Sequence, residues 1–367
     1  MALALRLGAG MYMSSVVHIV QRMSPGGIET LAMELVHALP GRHRLVSLEG
    51  ETGALIAAWP RLRSLGDAFT ALDKPAGRSF GCLRSLATLL RRERATTIVT
   101  HHIGPLLYGS LAAVVSGRPA IVHVEHDAWH LQDRRRRLLF TTLSRFARPK
   151  LVGVSGAIVD NLGALLPRVR ARVIPNGVDV TRFAGSRSGA RERLGLTADE
   201  LVVGSMGRLE AVKGHDVLLE AAALMRTPAR IVIGGGGSRR AALEAQAVSL
   251  GLAGRVLFLG AVDAPEQVYP AFDVFCLPSR QEGLPLALLE AQAAGARSVA
   301  CDVGDVRSAL CPHSGRLAPA GDAGALAQAL DAALADGQAP SPRAFVASRF
   351  DWSATVRAYA TVIGETE

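Results

Sequence analysis

The sequence predicts an α/β protein built from two doubly wound domains in tandem, and three observations carry that reading. Short β-branched runs alternate with helix-like segments in both halves of the chain, which implies parallel strands joined by crossover helices. The alternation is interrupted by a polar Arg/Gly/Ser-rich stretch, TRFAGSRSGARERLGL (181–196), the expected inter-domain linker. A chain of 367 residues also exceeds what one ordinary core organises.

In the first half, the expected strands are SVVHIV (15–20), HRLVSL (43–48), TTIVTH (96–101), AIVHVE (120–125), KLVGVS (150–155) and ARVIPN (171–176). Helical patterns such as GIETLAMELVHAL (27–39) and SFGCLRSLATLLRRE (79–93) lie between them. A second series follows the linker: ELVVGSMGR, ARIVIGGGG, RVLFLGAV, DVFCLPS and RSVACDVG, with GHDVLLEAAALM and GLPLALLEAQAAG as intervening helices. Domains are therefore expected over 1–184 and 185–340, with a C-terminal helical stretch, 341–367, returning toward the first domain. Ligands of such sheets bind outside the carboxyl ends of the strands, so two facing domains would make a central cleft.

Composition excludes several classes. Cys82, Cys276, Cys301 and Cys311 have neither metal-ligand spacing nor a disulfide framework, which suits a reducing compartment. The apolar run LLYGSLAAVVSG (106–117) is too short to span a bilayer, and the opening MALALRLGAGMYM reads as a frayed leader without a cleavable signal. The expected location is cytoplasmic. Residues 1–184 hold 24 Lys+Arg against 12 Asp+Glu, whereas the remainder holds 17 against 20, so the positive balance sits in the first half. Its densest piece, QDRRRRLLFTTLSRFARPK (132–150), reads as a solvated helix face, a contact with an anionic membrane surface, or a nucleic-acid contact. With 5% aromatics and no recognised nucleic-acid motif, the last is disfavoured.

The stretch SRQEGLPLALLEAQAAG (279–295) carries the most chemistry. Pro285 suits the first position of a helix, Gly283 permits close approach of a ligand, and the helix entrance favours an anion such as phosphate. Glu282 stands at this entrance and Glu290 eight residues further on, so an extended ligand with hydroxyls at both ends and phosphate between them could meet both. A sugar nucleotide has that form; an exposed capping glutamate and a surface glutamate are the alternative. GRLEAVKG (207–214) puts Arg208 and Lys213 just beyond a strand end. Lys213 is one of only three lysines, with Lys74 and Lys150, in a chain that otherwise uses arginine. A compact ammonium aimed at a diphosphate explains that choice.

GRLEAVKG, LPSRQEGLPLALLEAQAAG and IPNGVD resemble the signature segments of the retaining glycosyltransferases of family 4, which have the GT-B fold of two Rossmann-like domains. The likeness extends to MSPGGIETLAMEL near the start, IVIGGGGSRRAALEAQAVSLGLAGRVLFLGAV, and FDWSATVRAYATVI at the end. It implies that Glu282 holds hydroxyls of the donor sugar, Glu290 the nucleotide ribose, and Arg208 with Lys213 the diphosphate. The Gly283-Leu284-Pro285 turn would present helix-terminal amides, Gly26 and Gly27 would face phosphate or acceptor, and His126 would lie next to the donor sugar. His101 and His102 read as structural, GGGGS (234–238) as architectural, and NGVD (176–179) as the turn into the linker. The sequence departs from the family in GARSVACDVGDVRSAL, where Arg297 stands at a common proline position and Asp305 replaces a glycine.

The resemblance implies transfer with retention from a nucleotide sugar to a glycan or lipid-linked acceptor, in bacterial surface polysaccharide assembly. The expected chemistry needs no cofactor and no metal, there being no Asp-x-Asp cluster. An epimerase or hydrolase of the same architecture, and a non-enzymatic binder of anionic surfaces or nucleic acid, remain the other readings.

Overall fold

The computed structural model describes residues 14–127, 129–166, 170–336 and 340–364, so the leader expected over 1–13 lies outside the described residues. Contacts divide the chain into two compact units. The first contains residues up to Ser24, Ile28–Pro175 and the chain from Thr355; the second contains Pro25–Gly27 and Asn176–Ala354.

The first unit is a seven-stranded parallel sheet: β1 (Ser15–Arg22), β2 (Arg42–Glu49), β3 (Phe69–Ala71), β4 (Thr97–His101), β5 (Ala120–Glu125), β6 (Lys150–Gly153) and β7 (Ala171–Val173). The spatial order 3-2-1-4-5-6-7 reverses direction between β1 and β4. Its helices are α1 (Gly27–Ala38), α2 (Thr52–Ala58), α3 (Phe80–Arg92), α4 (Ile103–Val115), α5 (Arg134–Ala147) and α6 (Gly156–Leu165). Side-chain N-caps start several of them: Glu51 on α2, Ser79 on α3, Asp133 on α5 and Ser155 on α6. All six strands expected from the sequence are present; β3, a three-residue edge strand, was not anticipated.

The second unit is a six-stranded parallel sheet of β8 (Val202–Met206), β9 (Arg230–Gly234), β10 (Val256–Gly260), β11 (Val274–Leu277), β12 (Arg297–Cys301) and β13 (Gly315–Ala318), in the order 10-9-8-11-12-13. Its helices are α7 (Arg187–Arg193), α8 (His215–Leu224), α9 (Arg240–Ser249), α10 (Leu286–Ala293), α11 (Val306–Ala309), α12 (Ala323–Ala335) and α13 (Arg343–Arg349); α14 (Trp352–Gly364) carries the chain back into the first unit. The central strands β8 and β11 are buried along their whole length, as parallel strands covered on both faces must be. The core is apolar, with Val203, Ile231, Val274 and Val299 meeting Leu218, Leu219 and Leu330 from the helices.

The stretch expected as a linker instead contains a helix. Arg191 on α7 is buried, and its guanidinium donates to Asp273 (2.8 Å) and to the carbonyls of Thr197 and Ala198. Asp273 also accepts from the Val202 amide, so this one ion pair joins α7 to the starts of β8 and β11. Most of the stretch is exposed, as its polar composition suggested, and Arg191 is its one buried polar residue. The four cysteines are buried and free. Among the described residues, no helix is long and apolar enough to cross a membrane.

Buried histidines occur in both units, several in the first and His215 in the second. His18 on β1 and His43 on β2 share a hydrogen bond of 3.1 Å between Nε2 and Nδ1, and burial holds the His18 pKa well below its ordinary value. In the second unit, burial lowers His215 to about 4, with Lys213 adding to the effect. Such groups are neutral when folded and take up protons only on unfolding. Above about pH 6.5 they leave stability unchanged, and below it stability falls toward the folded pKa by about 1.4 kcal/mol per pH unit for each such group. The second unit's urea midpoint should therefore drop between pH 7 and pH 5, and His215→Gln should reduce the drop. An unchanged midpoint across that range would contradict the burial argument.

Candidate functional site

In the second unit the sheet order reverses between β8 and β11, and the carboxyl ends of these two strands carry most of the residues singled out in the sequence. Arg208 follows β8 by two residues and is exposed; Lys213 ends a single helical turn, Ala211–Lys213. Glu282 lies in the loop after β11, buried with only 9% of its surface accessible. Lys213 Nζ donates to Glu282 Oε1 at 2.7 Å, and Ser279 Oγ donates to the same oxygen at 2.6 Å. The sequence reading gave Lys213 and Glu282 separate partners; the structure joins them. A buried carboxylate needs a cation and hydrogen bonds to offset its desolvation, and these two groups supply both.

Glycines make this approach possible. Gly214 has φ +67°, and a Cβ there would overlap the carbonyl of Pro278. Gly304 has φ +55°, and a Cβ there would overlap the carbonyl of Glu282 itself. The GGGG run is architectural, as expected: Leu209 N donates to Gly236 O (2.8 Å) and Gly207 N to Gly234 O (2.9 Å), so its bare backbone nests the Arg208 loop.

Helix α10 begins at Leu286, with Pro285 at the N-cap, whose side chain makes no capping hydrogen bond. Pro285 thus stands one residue earlier than the sequence suggested, and the amides of the first turn remain available to an anion. Gly283 O accepts from Asp305 N, and Leu284 O accepts from the Asn176 side chain at 3.0 Å, so the Gly283-Leu284-Pro285 turn is held from two sides. Asn176 belongs to the NGVD segment read from sequence as a turn into a linker; its buried amide instead clamps the candidate loop. Glu290, half-buried on α10, accepts a hydrogen bond from the Tyr269 hydroxyl at 2.9 Å. Asp216 and Arg280 form a further ion pair at 2.7 Å, tying the start of α8 to the loop before Glu282.

The remaining candidates lie on other parts of the chain. Gly26 and Gly27 follow β1 and open α1; by contacts, Pro25–Gly27 groups with the second unit. His126 directly follows β5 in the first unit, is buried, and its Nε2 lies 3.1 Å from His101 Nδ1. Burial, reinforced by His101, pushes the His126 pKa well below the usual value, so it is a neutral hydrogen-bonding imidazole. The sequence reading left Ser279, Tyr269 and Gly304 unassigned and Asn176 only a turn residue; Asn176, Tyr269 and Gly304 act through contacts with distant segments, Ser279 within its own loop.

Comparison with known proteins follows this geometry. Residues 25–182 match the model described as Glycosyltransferase Family 4, and residues 186–348 match Glycosyl transferases group 1. EpsF of Bacillus subtilis (strain 168), which carries a glycosyltransferase name, is 28% identical over 78% of this chain and 79% of its own length. A D-inositol 3-phosphate glycosyltransferase of Nocardia farcinica is 40% identical, but over 42% of this chain and only 36% of that protein. The crystal structure of Anabaena HepE with UDP and glucose superposes with a TM-score of 0.84 at 22% identity, covering 96% of this chain and 100% of that one. The two sheets and their connections are the GT-B fold. The chain belongs to the family 4, group 1 glycosyltransferases.

The backbone approach to Glu282 is directly testable. Gly304→Ala adds a Cβ at a positive-φ position already in contact with the Glu282 carbonyl, which should cost about 1–3 kcal/mol. Urea unfolding measures it; a variant as stable as the parent would show that the loop adjusts freely.

Proposed function

We propose that the protein transfers a sugar from a nucleotide-sugar donor, with retention at the anomeric carbon, to a glycan or lipid-linked acceptor. The observation that carries this is the Lys213–Glu282 pair beside the uncapped start of α10, at the β8/β11 reversal. In this reading the diphosphate meets the first amides of α10, Lys213 and Arg208. Lys213 exchanges part of its contact with Glu282 for the phosphate, leaving carboxylate oxygens to accept from sugar hydroxyls. Glu290, oriented by Tyr269, accepts from the ribose hydroxyls. His126 serves the donor sugar as a neutral hydrogen-bond partner, and Gly26 with Gly27 serves phosphate or acceptor through bare backbone.

The chemistry asked of these groups is electrostatic. Negative charge develops on the departing diphosphate, and fixed cations and amides stabilise it without rearranging. The leaving phosphate takes the acceptor's proton as the acceptor attacks from the same face, so Glu282 positions the sugar and forms no bond to it. Charge stabilisation by Arg208 and Lys213 makes a divalent cation at the diphosphate unnecessary. Since HepE was crystallised with UDP and glucose, a uridine diphosphate sugar is the first donor to try.

The acceptor side suggests a place at the inner face of a membrane, in surface polysaccharide assembly. Helix α5 exposes Leu138 and Phe146, eight residues apart and therefore on one face, together with Arg134, Arg135 and Arg145. Apolar side chains among arginines suit the headgroup region of an anionic bilayer.

Lys213→Ala should lower turnover about a hundredfold or more while the far-ultraviolet spectrum stays unchanged; turnover within a few-fold of the parent would remove the phosphate role. UDP should raise the melting temperature of the parent, and Glu290→Ala should shrink that rise. Equal shifts in both would detach Glu290 from the ribose. Acidic liposomes should co-sediment the protein at low salt and release it at high salt, and Leu138→Asp with Phe146→Asp should abolish sedimentation; binding by the double variant equal to the parent's would reassign the surface.

A further inference from the structure

We propose that the first unit carries a metal site, in which His102, Asp127 and His130 bind a divalent transition-metal ion of the Zn2+ class. One donor atom from each residue lies within 4.8 Å of the others. His130 Nδ1 is 3.1 Å from Asp127 Oδ1, and His102 Nε2 is 3.9 Å from Asp127 Oδ2. Ligands bonded at about 2.0–2.1 Å to a tetrahedral ion stand about 3.3 Å apart, so the donors are already near coordinating separation. Two imidazoles and a carboxylate are a donor set suited to Zn2+, with a fourth position left for water.

The fold brings these residues together through adjacent strands. His102 directly follows β4, Asp127 lies two residues past β5, and His130 sits on the single turn Trp129–Gln132. His102 is one-third exposed and gives an ion access, whereas Asp127 and His130 are buried.

A second observation is independent of those distances. Glu125, the last residue of β5, is buried to 1% accessibility, and among the described residues neither of its carboxylate oxygens has a hydrogen-bond partner. Its Oε2 lies 3.7 Å from His130 Nε2, itself buried and without a hydrogen bond among the described residues, and 3.5 Å from His123 Nε2. A carboxylate in that position is costly unless positive charge offsets it. A metal ion on His130 Nδ1 fixes the proton on Nε2, facing Glu125, and gives the carboxylate–histidine–metal arrangement that orients ligands in metal sites. The buried Glu125 then has its counter-charge through the ring.

The backbone of His102 adds a third. Its φ of 77° and ψ of 160° form a conformation that costs a residue other than glycine about 1–3 kcal/mol. Its carbonyl accepts from Leu106 N at the start of α4, so the position is fixed by the helix. Glycine would occupy it without strain; the imidazole is what the strained position retains. The reading of His102 as merely structural does not account for that choice. This inference is independent of the transferase reading.

The test uses the full chain with any affinity tag removed, equilibrated with Zn2+, dialysed against metal-free buffer, and assayed by inductively coupled plasma mass spectrometry. About one Zn2+ per chain is expected for such a site. His102→Ala should reduce the content to background with an unchanged circular dichroism spectrum. Glu125→Gln retains all three ligands and should weaken Zn2+ affinity about 10–100-fold by competition with a chromophoric chelator. His102→Gly should melt no lower than the parent without metal, yet lose the rise in melting temperature that Zn2+ gives the parent. Failure of the parent to take up stoichiometric Zn2+, or equal uptake by parent and His102→Ala, would overturn the assignment.

Discussion

The second unit is organised around a carboxylate that cannot stand alone. Glu282 is largely removed from water, and its position is tolerable because Lys213 and Ser279 converge on one of its oxygens. Bringing a lysine from the β8 loop onto a glutamate from the β11 loop requires two backbones to meet at near contact. Gly214 and Gly304 permit that meeting, and the glycines of 234–237 let the Arg208 loop settle against the sheet. The ion pair, the bare turns and the uncapped start of α10 are thus one construction. Each part is stable as it stands and carries charge or donors that an anionic, hydroxylated ligand can take over.

In both units the chemistry collects where the parallel strands end, because only there can loops from adjacent strands converge without breaking the ladder. The first unit places histidines at and just past the ends of β4 and β5. His101 and His126 are buried there and His18 and His123 within the strands themselves; burial keeps His18, His101 and His126 neutral, so these three act as hydrogen-bonding rings and not as fixed charges. The basic character of this unit resides instead on its surface, with α5 as its densest part. Paired, largely buried charge occurs in both units: Glu93 with Arg44 and Lys74 with Glu49 in the first, Glu282 with Lys213 and Arg191 with Asp273 in the second.

Sequence made the architecture legible because parallel strands buried on both faces are continuous β-branched runs, which stand out between amphipathic helices. The strands it missed, β3 and β13, are three and four residues long, and unlike the equally short β6 and β7 they do not lie in a longer β-branched run. The Arg/Gly/Ser-rich stretch looks solvated and mostly is; that Arg191 within it is buried depends on the Asp273 carboxylate 82 residues away, which the sequence does not show. The candidate glutamates and the Arg208–Lys213 loop could be read because their residue types announce charge beside glycine. Asn176, Tyr269 and Gly304 could not, because each acts on a partner that the fold alone supplies. The same holds for His102, whose significance lies in a dihedral angle and in a carboxylate on the neighbouring strand.

The central claim is that Lys213 and Glu282 work as one unit. A double-mutant cycle on kcat/KM, using Lys213→Met, Glu282→Gln and the combination with a sugar nucleotide as donor, tests it most directly. If the two side chains form one functional pair, either change alone should remove most of the activity, and the double variant should be little worse than the poorer single one. Losses that simply multiply would mean that the 2.7 Å contact joins two independent groups, and would contradict the account.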